Sequence, residues 1–254
     1  MSVIRICVHL AYTGTTFNGW QLQAGQDGTR TIQGCLQAAL ERVTGQKINV
    51  SGSGRTDSGV HALDQVAHFD VHRRFAHIPW QLALNAQLPP EITVVQACEV
   101  PLDFHARFSA RGKCYSYTFW TEKNFVLPQR APYVWQVWGL DPEKMRAAAT
   151  LLVGEHDFAC FQNSGTEVRC TRREIFRIWD EPGMFPQERV WYFHGSGFLK
   201  QMVRNMAGLL KEVGKGNLSP QETTRLLAQK DRRLAPATAP ARGLCLERVF
   251  YTME

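Results

Sequence analysis

The stretch GSGRTDSGVH, residues 52–61, gathers charged, hydroxyl and imidazole groups around glycines, between two runs of strand-like sequence. Glycine adopts backbone conformations that other residues resist, so the chain can bend sharply here and present Arg55, Thr56 and Asp57. Local sequence leaves two interpretations open, a plain hairpin turn capped by Asp57 or a working site. A phosphate-binding loop is disfavoured, because the G-x-x-x-x-G-K-[ST] pattern is absent and no helix follows.

Acidic and histidine residues crowd this region and raise the question of a metal site. Asp57, His61, Asp64, His68 and Asp70 lie within fourteen residues. Because residues of a strand alternate between its faces, Asp64, His68 and Asp70 share one face, which is typical of a solvated polar surface. His61 is more typical of a loop histidine than of a ligand. We therefore expect no metal.

The segment FHARFSARGKCYSY, residues 104–117, interleaves basic and aromatic side chains. Guanidinium groups such as those of Arg107 and Arg111 neutralise phosphates, and aromatic faces stack on unpaired bases. Aromatic residues at alternate strand positions also mark a core face, and Tyr115 and Tyr117 share one side. The segment is a candidate for RNA binding, with at least one of the two tyrosines expected in the core.

A second basic feature lies on the amphipathic pattern that begins at Phe198. Apolar residues fall on one broad helical face at about 100° per residue, and the opposite side gathers Lys200, Arg204 and Lys211. Such a stripe is either a solvated rim or a surface that faces phosphate or a carboxylate. Periodicity does not separate the two.

Strand and helix patterns alternate along the chain and predict an α+β fold. The first half has a β-α-β-β-α-β order of the ferredoxin type, and its first helix is capped by Thr31 and Gly45. The second half repeats this character less clearly. We expect two halves, 1–104 with the glycine-rich loop and 105–254, intimately fused, with a ligand-binding cleft between them.

Composition limits the class of protein. The 254 residues carry 29 Lys and Arg against 23 Asp and Glu, a formal charge of +6, which weakly favours a polyanionic partner. Seven scattered cysteines without a C-x-x-C pair argue against a zinc site or disulfides and indicate a reducing compartment. No apolar run suits a signal peptide or a membrane helix, so a cytoplasmic protein is expected.

The sequence GRTDSGVHALDQVAHFD, residues 54–70, closely resembles the signature of the tRNA pseudouridine synthase A family. Other matching segments follow the family in the same order and span nearly the whole chain: YTGTTFNGWQLQ with TIQGCLQAAL (12–40), LNAQLPPEI (84–92), FHARFSARGKCYSY (104–117), GEHDFACF (154–161), GSGFLKQMVRNMAGLLKEVGKG (195–216) and PATAPARGLCLERVFY (236–251).

The resemblance implies two ferredoxin-like α/β halves whose antiparallel sheets join around a central basic cleft. It also implies a homodimer in which each tRNA contacts both subunits, with neither a metal nor an organic cofactor. The implied reaction breaks the N1–C1′ bond of a uridine, turns the uracil, and forms a C5–C1′ bond. The implied targets are nucleotides 38, 39 and 40 of the tRNA anticodon stem-loop.

By the same resemblance Asp57 is the essential aspartate. Cleavage of the glycosidic bond builds positive charge on the sugar, which a carboxylate can stabilise or capture. The carboxylate can instead abstract the 2′ proton or add to C6 of the ring, and the sequence leaves these routes open. Each of them needs an ionised carboxylate, which asks for a nearby cation.

The resemblance assigns the remaining site residues as well. Arg204 matches the arginine that pairs with the aspartate, and Arg55 the arginine that fills the gap left by the flipped uridine. Tyr115 matches the tyrosine that packs against the uracil and assists loss of the C5 proton. Leu244 or Leu246 would supply an apolar wall. Arg107, Arg111 and Lys200 are expected to contact the RNA.

The sequence departs from the family at two places, and two other functions compete with the family's. Cys114 stands where a basic residue is common, and the loop begins Gly-Ser-Gly rather than Ala-Gly; we expect both to alter RNA contacts or packing and to leave the chemistry intact. A non-catalytic RNA-binding protein or chaperone would keep the basic cleft without needing Asp57. A metal-dependent hydrolase built on the Asp/His cluster would be inhibited by a chelator.

Overall fold

A computed structural model describes residues 2–22, 30–165 and 170–252, and the chain divides into two compact units. The first comprises Met1–Arg111 and Leu246–Glu254, and the second Gly112–Cys245. This division differs from the sequence boundary at 104/105, because residues 105–111 and the end of the chain lie in the first unit. Gln23, the last residue of the segment YTGTTFNGWQLQ, is outside the described residues.

The first unit has the β-α-β-β-α-β order expected from the sequence. In chain order it contains β1 (Val3–Tyr12), α1 (Ile32–Thr44), β2 (Val50–Gly52), β3 (His61–His72), α2 (Trp80–Asn85) and β4 (Ile92–Val100). Strand β1 pairs antiparallel with β3 on one side and β4 on the other, and β2 pairs antiparallel with β3. The described part of this unit is therefore an antiparallel sheet with helices, as predicted.

Local signals in the sequence explain the ends of α1. The Thr31 side chain accepts a hydrogen bond from the Gly34 N–H at 3.2 Å, and Gly45 closes the helix at φ 70°, where a residue without Cβ is favoured. The helix buries Ile32, Leu36 and Leu40. The apolar spacing and both caps predicted this element correctly.

The second unit is also built from an antiparallel sheet and helices. In chain order it contains β5 (Gly112–Trp120), β6 (Trp135–Gln136), α3 (Pro142–Thr150), β7 (Gly154–Asp157), β8 (Arg172–Pro182), β9 (Glu188–Gly195), α4 (Met202–Gly214) and α5 (Glu222–Gln229). The sheet runs in the order β5-β9-β8-β7, with all three pairs antiparallel, and the short β6 adds a parallel pair to β5. The last strand, β10 (Leu244–Phe250), begins in this unit and ends in the first.

The core of the second unit is strongly aromatic. Tyr117, Phe119, Trp191 and Phe193 have no exposed surface. Tyr117 and Phe119 alternate along β5 and Trp191 and Phe193 along β9, which places each pair on one face of its strand. The alternating aromatic pattern therefore marks a core face here, and the expectation that at least one tyrosine of the segment is buried is confirmed for Tyr117.

Helix α4 begins later than its amphipathic pattern suggests. The pattern starts at Phe198, but the helix starts at Met202, and Gln201 before it has a left-handed φ of 61°. Lys200 therefore lies in the turn before the helix, and its assignment to the helical basic stripe with Arg204 and Lys211 is wrong. In the ranges that the structure describes, we find no helix long and apolar enough to cross a membrane.

Candidate active site

The candidate loop, residues 53–60, connects β2 to β3 and is fixed where it begins. The Ser53 N–H donates to the Val66 carbonyl at 2.7 Å, and its hydroxyl donates to Gln65 Oε1 at 2.5 Å. Gln65 Nε2 in turn donates to the Gly54 carbonyl at 3.1 Å. Ser53 and Gln65 are almost fully buried. Buried polar groups that satisfy one another in this way hold the backbone in one conformation.

The end of β1 and the segment between β1 and α1 hold the loop on both sides of Asp57. Before Asp57, the Tyr12 and Thr56 hydroxyls are 2.8 Å apart, and the Trp20 N–H donates to the Thr56 carbonyl at 3.1 Å. After Asp57, the Ser58 hydroxyl donates to the Phe17 carbonyl at 3.0 Å. The conformation at Asp57 is thus imposed by a segment far away in the sequence.

Two glycines of the same segment allow this close approach. A Cβ on Gly14 would lie 2.0 Å from the Val60 carbonyl oxygen, and one on Gly19 would lie 2.6 Å from the Thr56 carbonyl oxygen. Gly19 also has a φ of +82°, which side chains disfavour. Any larger residue at either position would push the loop backbone away.

Asp57 itself is half-buried, between the buried residues Thr56 and Val60. Its carbonyl accepts a hydrogen bond from the Val60 N–H at 3.2 Å, which closes a tight turn after the aspartate. Arg55, two residues before Asp57, is exposed. The loop therefore presents a carboxylate and a guanidinium from a rigid backbone.

The neighbouring histidines and aspartates are occupied structurally. His61 is 5% exposed, and its Nδ1 accepts a hydrogen bond from the Gly14 N–H at 3.1 Å. Asp64 pairs with His9 at 2.6 Å, Asp70 pairs with Arg5 at 2.6 Å, and His68 is buried. The prediction of a solvated polar face is wrong for His68, which is buried, whereas Asp70 is exposed and Asp64 is half-buried. Within the described ranges, no cluster of three His, Cys, Asp or Glu residues suits a metal ion.

In the second unit, Tyr115 lies on β5 with only 9% of its surface exposed. Its ring meets the Phe198 ring edge-on, with centroids 5.2 Å apart. The adjacent residue, Cys114, is also buried and belongs to the opposite face of the strand. Tyr115 thus has an aromatic neighbour that fixes its ring.

Arg204 lies on the first turn of α4 and is bound to the segment that precedes β10. Its Nε donates to the Ala239 carbonyl at 2.8 Å, and the Ala239 N–H donates to the Arg204 carbonyl at 3.2 Å. The Tyr117 hydroxyl donates to the next carbonyl, that of Pro240, at 2.8 Å. Burial raises the pKa of Tyr117, while the positive charges of Arg204 and Arg242 lower it. Tyr117 therefore stays a neutral donor.

Leu244 and Leu246, the two candidates for an apolar wall, follow this segment in the chain. A Cβ on Gly243 would lie 2.7 Å from the Tyr117 ring, so the chain packs closely against the ring. Leu244 is 6% exposed and Leu246 is 1% exposed. Leu244 lies in the second unit and Leu246 in the first. The close packing at Gly243 fixes where Leu244 lies.

Sequence reasoning missed Arg232, the centre of a polar network beside Arg204. Its Nε donates to Asn163 Oδ1 at 2.7 Å, and its Nη2 donates to Asn205 Oδ1 at 3.0 Å and to Thr238 Oγ1 at 2.9 Å. Its Nη1 donates to the carbonyls of Ala235 and Pro236 at 3.0 and 2.9 Å. These bonds use all five donors of the guanidinium.

The Arg232 network connects the two segments that hold Arg204. Asn205, next to Arg204 on α4, is fully buried, and Thr238 precedes Ala239. Arg232 therefore joins the helix that carries Arg204 to the segment that binds it. Because most of the acceptors are neutral side-chain and backbone oxygens, no ion-pair pattern in the sequence indicated this role. The neighbouring Arg233 is identical in type yet is bound to Asp231 at the surface.

The predicted RNA contacts differ in their surroundings. Arg107 and Arg111 are exposed in the first unit, and the Arg111 N–H is bound to the Phe250 carbonyl at 2.7 Å. Lys200, in the second unit, donates from Nζ to the Ser164 carbonyl at 2.8 Å. The first unit therefore contains Arg55, Asp57, Arg107 and Arg111, and the second contains Tyr115, Lys200, Arg204 and Leu244.

Comparison with known proteins shows which family this chain resembles. The chain matches the family model described as tRNA pseudouridine synthase over residues 9–109 and 148–252. The tRNA pseudouridine synthase A of Solidesulfovibrio magneticus is 54% identical over 250 residues, 97% of this chain and 91% of the relative. That of Maridesulfovibrio salexigens is 51% identical over 247 residues, 97% of this chain and 90% of the relative.

Similarity to solved structures is much more distant. A chain in the crystal structure of a Cbf5-Nop10-Gar1 complex matches with a TM-score of 0.34 and 10% identity. The match covers 81% of this chain and 54% of that chain.

Proposed function

This chain belongs to the tRNA pseudouridine synthase family, an isomerase family that acts on uridine in tRNA, and from that premise we propose that its targets are nucleotides 38, 39 and 40. We further propose that Asp57 is the essential catalytic residue. The observation that supports this role is the backbone around Asp57, which the segment from Tyr12 to Trp20 holds before and after the carboxylate.

The chemistry requires a carboxylate held in place. Isomerisation breaks the N1–C1′ bond and forms a C5–C1′ bond, so positive charge develops at C1′ during cleavage and the uracil is detached from the sugar between the two steps. Asp57 stabilises this stage by binding C1′, by removing the 2′ proton, or by adding to C6. A fixed loop keeps the carboxylate within bonding distance during the reorientation of the base.

The other residues take roles that follow from their surroundings. Arg204, whose guanidinium is oriented by the Ala239 carbonyl, stabilises the charge that develops during the reaction. Tyr115, braced by Phe198, packs against the uracil and assists loss of the C5 proton, and Leu244 forms the apolar side of the pocket. The exposed Arg55 fills the place of the flipped nucleotide.

Further RNA contacts and the assembly complete the proposal. Arg107, Arg111 and Lys200 neutralise phosphates, and each such contact releases counterions on binding. We propose a homodimer that binds each tRNA with both subunits and acts in the cytoplasm. The homodimer and the cytoplasmic location are supported by the resemblance to the family, whose substrate is tRNA.

The test uses unmodified tRNA transcripts that keep a single uridine at position 38, 39 or 40. Pseudouridine is mapped by carbodiimide labelling and reverse transcription after incubation with the protein. We expect a stop one nucleotide 3′ of each of the three positions and none in a matched transcript with cytidine at all three. Modification confined to positions outside the anticodon stem-loop would overturn the assignment of targets while leaving the isomerase activity intact.

A further inference from the structure

Phe108 presents an aromatic ring to solvent from a short turn in the first unit. The ring is 77% exposed, and residues 104–111 contain no helix or strand. Arg107 and Arg111, both exposed, lie on either side of it in the sequence. An aromatic residue of this size is normally among the most buried, so its exposure needs a reason.

The turn that carries Phe108 is rigid. His105 Nδ1 accepts hydrogen bonds from the N–H groups of Arg107 and Phe108 at 3.1 and 3.3 Å. The Ser109 N–H donates to the His105 carbonyl, and the His105 N–H donates to the Ser109 hydroxyl oxygen, both at 2.9 Å. The exposure of Phe108 is therefore set by a closed network and does not come from a loose loop.

The base of the turn is fixed to the core of the first unit. Ala106 is fully buried, its N–H donates to His68 Nδ1 at 3.1 Å, and its carbonyl accepts from the Tyr251 hydroxyl at 2.7 Å. Arg5 donates to the Phe104 carbonyl at 2.7 Å. The start of the turn is thereby held, and the ring projects from a fixed point.

The surroundings of the ring suit a nucleotide. Its neighbour on one side is the His105 imidazole, with centroids 4.3 Å apart and planes at 34°, and the Arg107 guanidinium is 5.7 Å from the ring centroid. A rigid aromatic face beside guanidinium groups matches the two parts of an unpaired nucleotide, since the base stacks and the phosphate pairs with the cation.

We propose that Phe108 is a stacking platform for an unpaired base of the substrate tRNA, with Arg107 and Arg111 binding the adjacent phosphates. This inference rests on the proposed function for the identity of the RNA. Charge favours RNA over a protein partner, because the two exposed charged residues that flank Phe108 in the sequence are both arginines. The ring binds without reading sequence, since every base has a face that stacks.

The experiment measures binding of a fluorescently labelled, unmodified tRNA transcript to the full-length protein by anisotropy. Loss of one stacking contact weakens binding about 10-fold, so we expect Phe108→Ala and Phe108→Leu to raise Kd by that factor. Phe108→Tyr and Phe108→Trp should bind like the wild type. Met184→Ala, which removes a side chain that is 79% exposed in the second unit, is the control.

Turnover and assembly measurements separate the possible outcomes. The proposal expects a higher KM and an unchanged kcat for Phe108→Leu, with its sedimentation unaltered. Equal binding by the leucine and tyrosine variants would overturn it, and so would a change of oligomeric state in Phe108→Leu, which would make the ring a subunit contact. If the tyrosine and leucine variants differ in binding while the wild type forms no pseudouridine, the platform stands and the proposed function fails.

Discussion

Arg204 and Ala239 hold each other through two hydrogen bonds, from Arg204 Nε to the Ala239 carbonyl at 2.8 Å and from the Ala239 N–H to the Arg204 carbonyl at 3.2 Å. One bond fixes the guanidinium and the other fixes the backbone beside it. A guanidinium presents its donors in a planar fork, so fixing Nε also limits where the terminal nitrogens point. The direction of the Arg204 charge is therefore set by the main chain.

The two hydrogen bonds between Arg204 and Ala239 predict that a different cation at position 204 does not restore catalysis. Arg204→Lys keeps the cation but loses the planar fork and the oriented bond to Ala239, so kcat should fall by about 100-fold with tRNA affinity nearly unchanged. Single-turnover rates and anisotropy measure the two quantities separately. Lys200→Ala is the comparison, and it should weaken binding alone. If Arg204→Lys lost affinity in proportion to salt and kept its rate, Arg204 would be a phosphate contact only.

The close approach of Gly19 to the Thr56 carbonyl predicts that the segment before α1 affects catalysis. A Cβ at Gly19 would meet the Thr56 carbonyl at 2.6 Å, whereas Gly45, which also has a positive φ, has open space around it. Gly45→Ala should cost about 1 kcal/mol of stability through the backbone alone and leave kcat unchanged. Gly19→Ala should cost more and lower kcat by at least about 10-fold, because displaced reacting groups lose rate steeply. Equal kcat values in the two variants would show that the loop tolerates displacement.

The Arg232 network predicts a contrast between adjacent arginines. Arg232→Met removes one hydrogen bond from each of the oxygens of Asn163, Asn205 and Thr238 and the two bonds to the Ala235 and Pro236 carbonyls, which should destabilise the fold by about 3 kcal/mol. Arg233→Met removes only an exposed pair with Asp231 and should change neither stability nor rate. Urea unfolding measures the first effect, and kcat well below the melting temperature measures the displacement of Arg204. Similar behaviour of both variants would contradict the network's role.

His68 predicts how stability depends on pH. Burial, together with the positive charges of Arg5 and His105, lowers the pKa of His68 from 6.5 to about 4, and the charge of Asp70 opposes this shift. In the unfolded chain His68 is therefore protonated below its usual pKa near 6.5, whereas in the folded chain it is protonated only below a pKa of about 4. Stability should fall by up to about 3 kcal/mol as the pH drops through that window and then level off.

The matched variants for this effect are His68→Asn and His77→Gln. Asparagine has no titrating ring, so His68→Asn should flatten the pH dependence of unfolding. His77 is exposed, and His77→Gln should leave the dependence unchanged. The same slope in wild type and His68→Asn would assign the pH dependence to another group.

The features that the sequence predicted correctly are those determined by residues close together in the chain. The caps of α1 at Thr31 and Gly45 are local, and alternating aromatics along β5 reveal its core face without knowledge of the fold. The glycine-rich stretch 52–61 was correctly expected to join two strands. Its rigidity was not visible, because Tyr12 and Thr56 meet across 44 residues of chain.

Long-range contacts explain where local patterns failed. The amphipathic pattern extends through Phe198 and Lys200, but the Gln201 side chain binds Asn163, and the chain there takes a left-handed turn before α4. Arg232 and Arg233 are adjacent residues of the same type. Their roles differ only because the fold places different residues next to each of them. For the same reason His68 of β3 was expected to be solvated, whereas it is buried and accepts a hydrogen bond from the Ala106 N–H.

The most direct test of the central claim is release of tritium from tRNA labelled at uracil C5, because forming the C5–C1′ bond expels that hydrogen. Wild type and Asp57→Asn are compared in EDTA, with Glu99→Gln, an exposed carboxylate of the same unit, as the matched control. We predict release by the wild type and the control, and a loss of at least about 1000-fold in Asp57→Asn with tRNA binding retained. Undiminished release by Asp57→Asn would contradict the catalytic role of Asp57, and binding without release by the wild type would leave an RNA-binding protein in place of an enzyme.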